Sequence, residues 1–363
     1  MKKYLTPQFI EGLRELLFVM VKTKQEKPRL IAFEVTRRCR FFCKHCRADA
    51  GSVNEELTTQ QCKKILSCVA RYSKCLVILT GGEPMERSDI YKLIQHGRKL
   101  GHRMVMASCG YLINQESIAK LKEAGVLALS FSLDGASAET HDKFRRAKGA
   151  FDAVIRAAEI ARSAGVRFQI NTTLCKINMD EVAGIIELAK RLGAYCFNPF
   201  ILVPTGRGKD MADEILDPLR YEVLLNELLR LKVESTIEVR VTCGPQFARI
   251  CEQARAKRLI NGVNGCMGGR GFGFISYRGD VQTCGFLDVS AGNLVENGYN
   301  FKKIWLESQL LNEVRDLSGY TGKCRTCEYA AICGGCRARA YAVSGDYLAS
   351  DPLCSYQAKG DKD

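Results

Sequence analysis

The residues best suited to chemistry in this chain are its cysteines. The first informative set is Cys39-Arg40-Phe41-Phe42-Cys43-Lys44-His45-Cys46, a C-x3-C-x2-C spacing. Three thiolates on so short a loop can wrap an iron–sulfur cubane and leave its fourth iron without a protein ligand. The amine and carboxylate of a small substrate could chelate that open iron. Closely spaced thiolates also suit zinc, but a structural zinc site normally takes four protein ligands.

A second set comprises Cys266, Cys284, Cys324, Cys327, Cys333, Cys336 and Cys354. It reads C-x12-G-x4-C, then C-x2-C-x5-C-x2-C, then a distant cysteine. A cubane takes ligands from several directions, so a tight pair and remote cysteines can close around it. The alternative is a zinc-ribbon-like tail with two structural zincs. Of the 18 cysteines, those at 62, 68, 75, 109, 175, 196, 243 and 251 lie outside both sets. Most sit in apolar patterns and read as small buried hydrophobes. Cys243, in Thr242-Cys243-Gly244-Pro245, is the exception to watch.

The elements that must position these cysteines alternate. Strand-like runs fall at Leu30–Val35, Cys75–Thr80, Met104–Ser108, Val126–Leu133, Val166–Leu174 and Tyr195–Leu202. Amphipathic stretches lie between them at Thr59–Arg71, Ser88–Leu100, Gln115–Ala124, Phe151–Ala164 and Met179–Leu192, with Thr58 or Thr59 and Ser88 as N-caps. Strands alternating with helices imply a parallel sheet covered by helices. Six such units are too few for a closed eight-stranded barrel and fit an open, partial one of α/β class, with its chemistry at the C-terminal strand ends. The expected division is a helical prefix at 1–27, the partial barrel at 28–206, a helical bridge at 207–261, and a cysteine-rich module with little regular structure at 262–363.

Composition narrows the classes. With 46% hydrophobic residues the chain can bury a core, and it carries a net charge of +14. No nucleic-acid motif accompanies that charge, which leaves a plain basic surface or an acidic small-molecule partner. The longest apolar run near the start, Leu16–Val21, is far short of a membrane span. No signal-peptide pattern is visible, so the expected location is cytoplasmic, where clustered cysteines point to metal and not to disulfides.

The first loop, with Phe42 and His45 among its cysteines, resembles the signature of the radical S-adenosylmethionine (SAM) superfamily. Gly81-Gly82-Glu83-Pro84, after the second strand, is similar to the segment that binds the SAM amino group. Ser132, Asp134 and Arg145 follow the fourth strand where that family contacts SAM, the arginine at its carboxylate. Asn171 and Leu202 take the places of ribose and adenine contacts. The second cysteine set resembles the SPASM domain, which carries one or two auxiliary [4Fe–4S] clusters. That resemblance implies one full cluster on Cys324, Cys327, Cys333 and Cys354, and another on Cys266, Cys284 and Cys336. Many relatives have a further cysteine shortly after the position of Cys266. Here Gly268-Gly269-Arg270-Gly271-Phe272-Gly273 stands instead, which leaves Cys243, Cys251 or an open iron for the fourth position.

Further stretches resemble the heme b synthases of the siroheme-dependent heme pathway: Ala107–Asn114, Pro199–Gly208, Cys284-Gly285-Phe286-Leu287 and Gly335–Tyr341. The resemblance implies an oxidoreductase that converts two propionates of iron-coproporphyrin III to vinyl groups, with ferredoxin or flavodoxin as electron donor. Arg207, Arg270, Arg337 and Arg339 are then candidate propionate partners, because a guanidinium pairs bidentately with carboxylate. Rival readings are a SPASM maturase acting on a peptide, another tetrapyrrole-modifying radical SAM enzyme, and a non-catalytic iron–sulfur electron carrier. The carrier would need the clusters but not Gly81–Pro84, Ser132 or Arg145.

Overall fold

The strands form because their side chains alternate between two environments. In β5 (Phe168–Leu174), Phe168, Ile170, Thr172 and Leu174 are buried, while Gln169, Asn171 and Thr173 are half-buried. Successive side chains point to opposite faces of a sheet, so one set meets the helices and the other lines an interior. The same alternation holds in β2 (Leu76–Gly81), where Val77 and Leu79 are buried and Ile78 and Thr80 are not.

The computed structural model describes residues 27–53, 55–254 and 265–358. The expected helical prefix, apart from its last residue, lies outside the described residues. The remaining strands are β1 (Leu30–Thr36), β3 (Arg103–Ser108), β4 (Ala128–Ser132), β6 (Cys196–Ile201), β7 (Glu238–Val239), β8 (Phe272–Ile275), β9 (Asp280–Gln282) and β10 (Gly292–Asn293). They form one sheet in the order β10-β9-β8-β1-β2-β3-β4-β5-β6-β7. Strands β1 to β7 pair in parallel, and β8 joins the free side of β1, also in parallel.

Helices cover the outer face: α1 (Thr59–Tyr72), α2 (Ile90–Lys99), α3 (Gln115–Ala124), α4 (Ala138–Arg145), α5 (Ala150–Ser163) and α6 (Val182–Leu192). Outward residues such as Phe33, Leu79, Met106, Phe131 and Ile170 pack with Ile65, Leu93, Leu121, Ala157 and Ile185 in one core. Thr58 caps α1 through a reciprocal capping box with Gln61. Ser88 does not cap α2: Asp89 stands at the N-cap, and its carboxylate is drawn instead to Arg87 and Thr59. Helix α4 was not expected. Its sequence AETHDKFR has no broad apolar stripe, and Ser137 starts it by accepting the Thr140 N–H.

The C-terminal third also departs from expectation. It has regular structure, including α9 (Phe301–Glu307), α10 (Gln309–Arg315) and α12 (Arg337–Ser344), with the short α11 (Lys323–Thr326) between the last two. Moreover, β8 extends the barrel sheet, with Leu30 opposite Phe272 and Phe33 opposite Ile275. The signal was weak because β8 is four residues long and one of them is glycine. Between β6 and β8 lie α7 (Pro218–Glu234) and α8 (Gln246–Gln253).

Two glycines let other segments reach the first cysteine loop. The N–H groups of Gly82 and Glu83 donate to the carbonyls of Thr36 and Arg38 at 2.8 and 2.7 Å. A Cβ on Gly82 would lie 2.3 Å from the Arg38 carbonyl and 2.7 Å from that of Arg37. On the other side, Gly206 has φ +56°, and a Cβ there would meet the Cys46 and Arg47 carbonyls at 2.5 and 2.4 Å. Gly82→Ala should therefore destabilise the fold by about 1–3 kcal/mol, the range for forced overpacking. Denaturant melts against Gly51→Ala, where an added Cβ meets nothing within 4 Å, check this. Equal midpoints for the two variants would contradict the close approach.

Candidate functional site

The first loop has almost no secondary structure of its own, so its shape comes from what grips it. Arg207 is the main clamp. Its Nε donates to the Cys43 carbonyl at 2.9 Å and one Nη to the Ala50 carbonyl at 2.7 Å, and its backbone N–H donates to the Cys46 carbonyl at 3.0 Å. The guanidinium also pairs with Asp49 and lies over the Phe42 ring. Held this way, Cys39, Cys43 and Cys46 share one small cluster with Phe41, Tyr111 and Cys109.

A buried ion pair stands beside them. Arg145 donates from Nε to Asp134 at 2.8 Å, and one Nη lies 4.0 Å from the Cys43 sulfur. The second Asp134 oxygen accepts the Thr173 N–H at 2.7 Å. Burial alone would raise the Asp134 carboxyl, but Arg145 and the nearby histidines hold it below the ordinary carboxylate value. Burial pushes the Cys43 thiol up to about 11, against the pull of Arg145. Cys39 is lowered to about 7, chiefly by its hydrogen bond with Cys109. His45 stacks on Phe144 and is held neutral by burial, its value lowered to about 4.

The expected SAM contacts divide into two groups. Ser132 and Asn171 are register partners on β4 and β5, half-buried on the interior face, with Asn198 of β6 next in the row. Asp134 and Glu83 are instead spent on the protein. Glu83 accepts from Ser108 Oγ, the Cys109 N–H, the Cys109 thiol and the Met85 N–H. It braces the Gly81–Pro84 turn against the end of β3, as Asp134 braces Arg145. The Leu202 side chain packs with Phe144, Cys175 and Met211 and is 3% exposed. Cys109 was missed. Its signal was positional, directly after β3, at the same strand ends that carry Cys39 and Gly81.

Cys324, Cys327, Cys333 and Cys354 line one cleft, together with Lys323 and Arg249. Cys284 packs against the group containing Cys336, and the Cys266 N–H donates to the Cys333 carbonyl at 2.9 Å. Burial raises Cys284 to about 11 and Cys336 to about 12. A bare thiolate is disfavoured at both of these, and a metal cluster that takes them as thiolates would supply the compensating charge. Among the described residues, no three Cys, His, Asp or Glu side chains close on a point that one metal ion would fill. A cubane asks for something different, since each thiolate takes its own iron around a shared volume. Four thiols around one cleft, and three beside a buried arginine, fit that group.

The two cysteine regions meet inside the barrel. Arg47, next to Cys46, donates to the carbonyl of Gly285, next to Cys284, at 3.5 Å. Phe286 also reaches Phe200 on the interior face of β6.

The radical SAM superfamily model matches residues 33–189, and that of the SPASM iron–sulfur cluster-binding domain matches residues 266–328. The AdoMet-dependent heme synthase of Methanosarcina barkeri is 44% identical over 342 residues, covering 91% of this chain and 97% of that protein. The chain belongs to the heme synthase family of radical SAM enzymes. The AdoMet-dependent heme synthase of Oleidesulfovibrio alaskensis is 40% identical, covering 91% of this chain and 88% of its own length. Among solved structures, Streptococcus suis SuiB bound to its precursor peptide SuiA shares the fold, with TM-score 0.75, 17% identity, and coverage of 98% of this chain and 83% of SuiB. As a radical SAM enzyme with a SPASM domain, the chain takes S-adenosylmethionine and iron–sulfur clusters as cofactors. Among the described residues no helix is long and apolar enough to cross a membrane.

The four arginines singled out for propionates are engaged elsewhere in this heme synthase relative. Arg207 clamps the cysteine loop. Arg270 donates to the Val314 carbonyl. Arg337 donates to the carbonyls of Tyr347 and Ala349. Arg339 is fully buried against Asp351 at 2.9 Å. Each serves the folding of a cysteine site, because buried carbonyls and carboxylates there need donors.

Asp134→Ala would leave the Arg145 charge buried and unpaired, at a cost of about 3–5 kcal/mol. Urea unfolding of the anaerobically purified protein should show that loss, with Glu187→Ala at an exposed pair leaving the midpoint in place. A small effect at Asp134 would mean that the pair is not buried as described.

Proposed function

We propose that this enzyme oxidatively decarboxylates two propionate side chains of iron-coproporphyrin III to vinyl groups, giving heme b. The observation that carries the reading is the end-to-end likeness to the heme synthase of Methanosarcina barkeri, which spans both cysteine regions. The interior face adds support. Glu34 of β1 is shared by Arg37 at 3.4 Å and Arg47 at 3.2 Å, so two guanidiniums meet one carboxylate. Arg47, which also reaches the Gly285 carbonyl, brings one of these guanidiniums between the two cysteine regions, where an anionic tetrapyrrole would gain from it.

On this reading Cys39, Cys43 and Cys46 hold the cluster that binds SAM. Arg145, Ser132, Asn171 and the Gly81–Glu83 backbone border the SAM site. The bound cofactors supply a carbon-centred radical that can take a hydrogen atom. Each propionate then loses one hydrogen atom, one CO2 and one electron: a C–H and a C–C bond break and a C=C bond forms. No side-chain base is needed. The released electron requires an acceptor, and the sites at Cys266–Cys284–Cys336 and Cys324–Cys327–Cys333–Cys354 offer oxidised auxiliary clusters for it. Arg47 joins the first of these regions to the SAM loop. The reading includes a ferredoxin- or flavodoxin-type donor for the SAM cluster and a cytoplasmic location, where free thiols persist.

The test is anaerobic reconstitution followed by SAM, reductant and iron-coproporphyrin III, with products followed by mass spectrometry. Formation of 5′-deoxyadenosine and a doubly decarboxylated porphyrin is expected, and Cys43→Ala should abolish both. Deoxyadenosine without porphyrin decarboxylation would overturn the substrate and favour a peptide-modifying maturase. Absence of deoxyadenosine from a cluster-replete enzyme would overturn the radical reading.

A further inference from the structure

Three ligands do not complete a cubane, and the glycine-rich stretch after Cys266 offers no fourth thiol. The structure brings one from elsewhere. The chain pairs with β6 as far as Thr242, whose N–H and carbonyl bond to Pro199 and Ile201 at 2.8 and 3.0 Å. The next residue, Cys243, turns into the left-handed region at φ 58°. A side chain other than glycine is disfavoured there, although a glycine stands one residue later. The turn delivers Cys243 to the apolar group of Val203, Leu287 and Cys336, where Cys284 also packs.

The turn is fixed by buried bonds. The Cys243 carbonyl accepts from Arg339, which is itself held by Asp351. Asp351 also accepts the Cys336 N–H at 2.8 Å and Gln246 Nε2 at 2.8 Å. One carboxylate thus ties the Cys243 turn to the Cys336 loop. Cys251, the other unassigned thiol nearby in sequence, is different. It is fully buried in the main core and is not part of the group that holds Cys336.

We propose that Cys243 is the fourth thiolate of the cluster held by Cys266, Cys284 and Cys336. The proposal rests on the reading above that those three hold a cluster. With four thiolates that cluster has no open iron, so it serves as an electron acceptor and does not bind the porphyrin. Its fourth ligand comes from the segment after β7, outside the SPASM match at 266–328.

The experiment uses the full chain with Cys39, Cys43 and Cys46 all replaced by alanine, so that only auxiliary clusters remain. Iron and sulfide content and the EPR spectrum of the reduced protein are compared with and without Cys243→Ala, using 13C-cyanide as the probe for an open iron. In the parent, two clusters' worth of iron and no 13C hyperfine coupling are expected. Cys243→Ala should either lose one cluster's worth of iron or gain cyanide coupling, and Cys251→Ala should do neither. Cyanide coupling in the parent, or a Cys243→Ala protein identical to it, overturns the proposal. Should the alanine variant misfold by circular dichroism, Cys243→Ser keeps the volume and must shift the EPR signal; an unchanged signal overturns the proposal equally. A parent holding only one cluster's worth of iron would instead refute the underlying two-cluster reading.

Discussion

Everything chemical in this molecule depends on a short loop being held by backbone contacts that leave no room for a side chain. Residues 39–46 have no helix or strand to shape them. The Gly81–Gly82 turn presses on one flank through the Thr36 and Arg38 carbonyls, and Gly206–Arg207 press on the other through those of Cys43, Cys46 and Ala50. These grips come from the ends of β2 and β6, so the sheet itself sets where the three thiols lie. Among the described residues the sheet ends at β7 on one side and β10 on the other.

The electrostatic design is repeated. At each of two cysteine sites a buried arginine–aspartate pair stands against a thiol: Arg145 and Asp134 beside Cys43, Arg339 and Asp351 beside Cys336. A cubane on thiolates carries net negative charge, and moving that charge out of water is costly. The arginine offsets part of it, and the aspartate fixes the arginine and is itself fixed by a backbone N–H, of Thr173 on β5 for Asp134 and of Cys336 at the start of α12 for Asp351. These pairs are therefore devices for holding charge in place, which is why Arg339 is not available to a substrate.

The barrel was legible in the sequence because its outward positions alternate apolar residues with half-polar interior ones, as in Phe168-Gln169-Ile170-Asn171. The cysteine sets were legible from spacing alone. What could not be read were properties that tertiary contact decides. Strand β8 is too short to show a period, so its place beside β1 was hidden. Helix α4 is charged along most of its length and depends on a cap. Arg207 is held by a segment far away in sequence, and Arg337 and Arg339 by groups beyond the end of their own helix, so nothing local marked them as structural. Cys243 reads as one more small buried residue until the turn after β7 sets it in the apolar group that holds Cys336 and Cys284.

The central claim is that, beside the Cys39–Cys46 loop, the radical that bound SAM would supply takes a hydrogen atom from the propionate carbon next to the porphyrin ring. Iron-coproporphyrin III deuterated at those carbons tests it directly. The account predicts one deuterium transferred into 5′-deoxyadenosine for each vinyl group formed. Vinyl groups formed alongside unlabelled 5′-deoxyadenosine would contradict it.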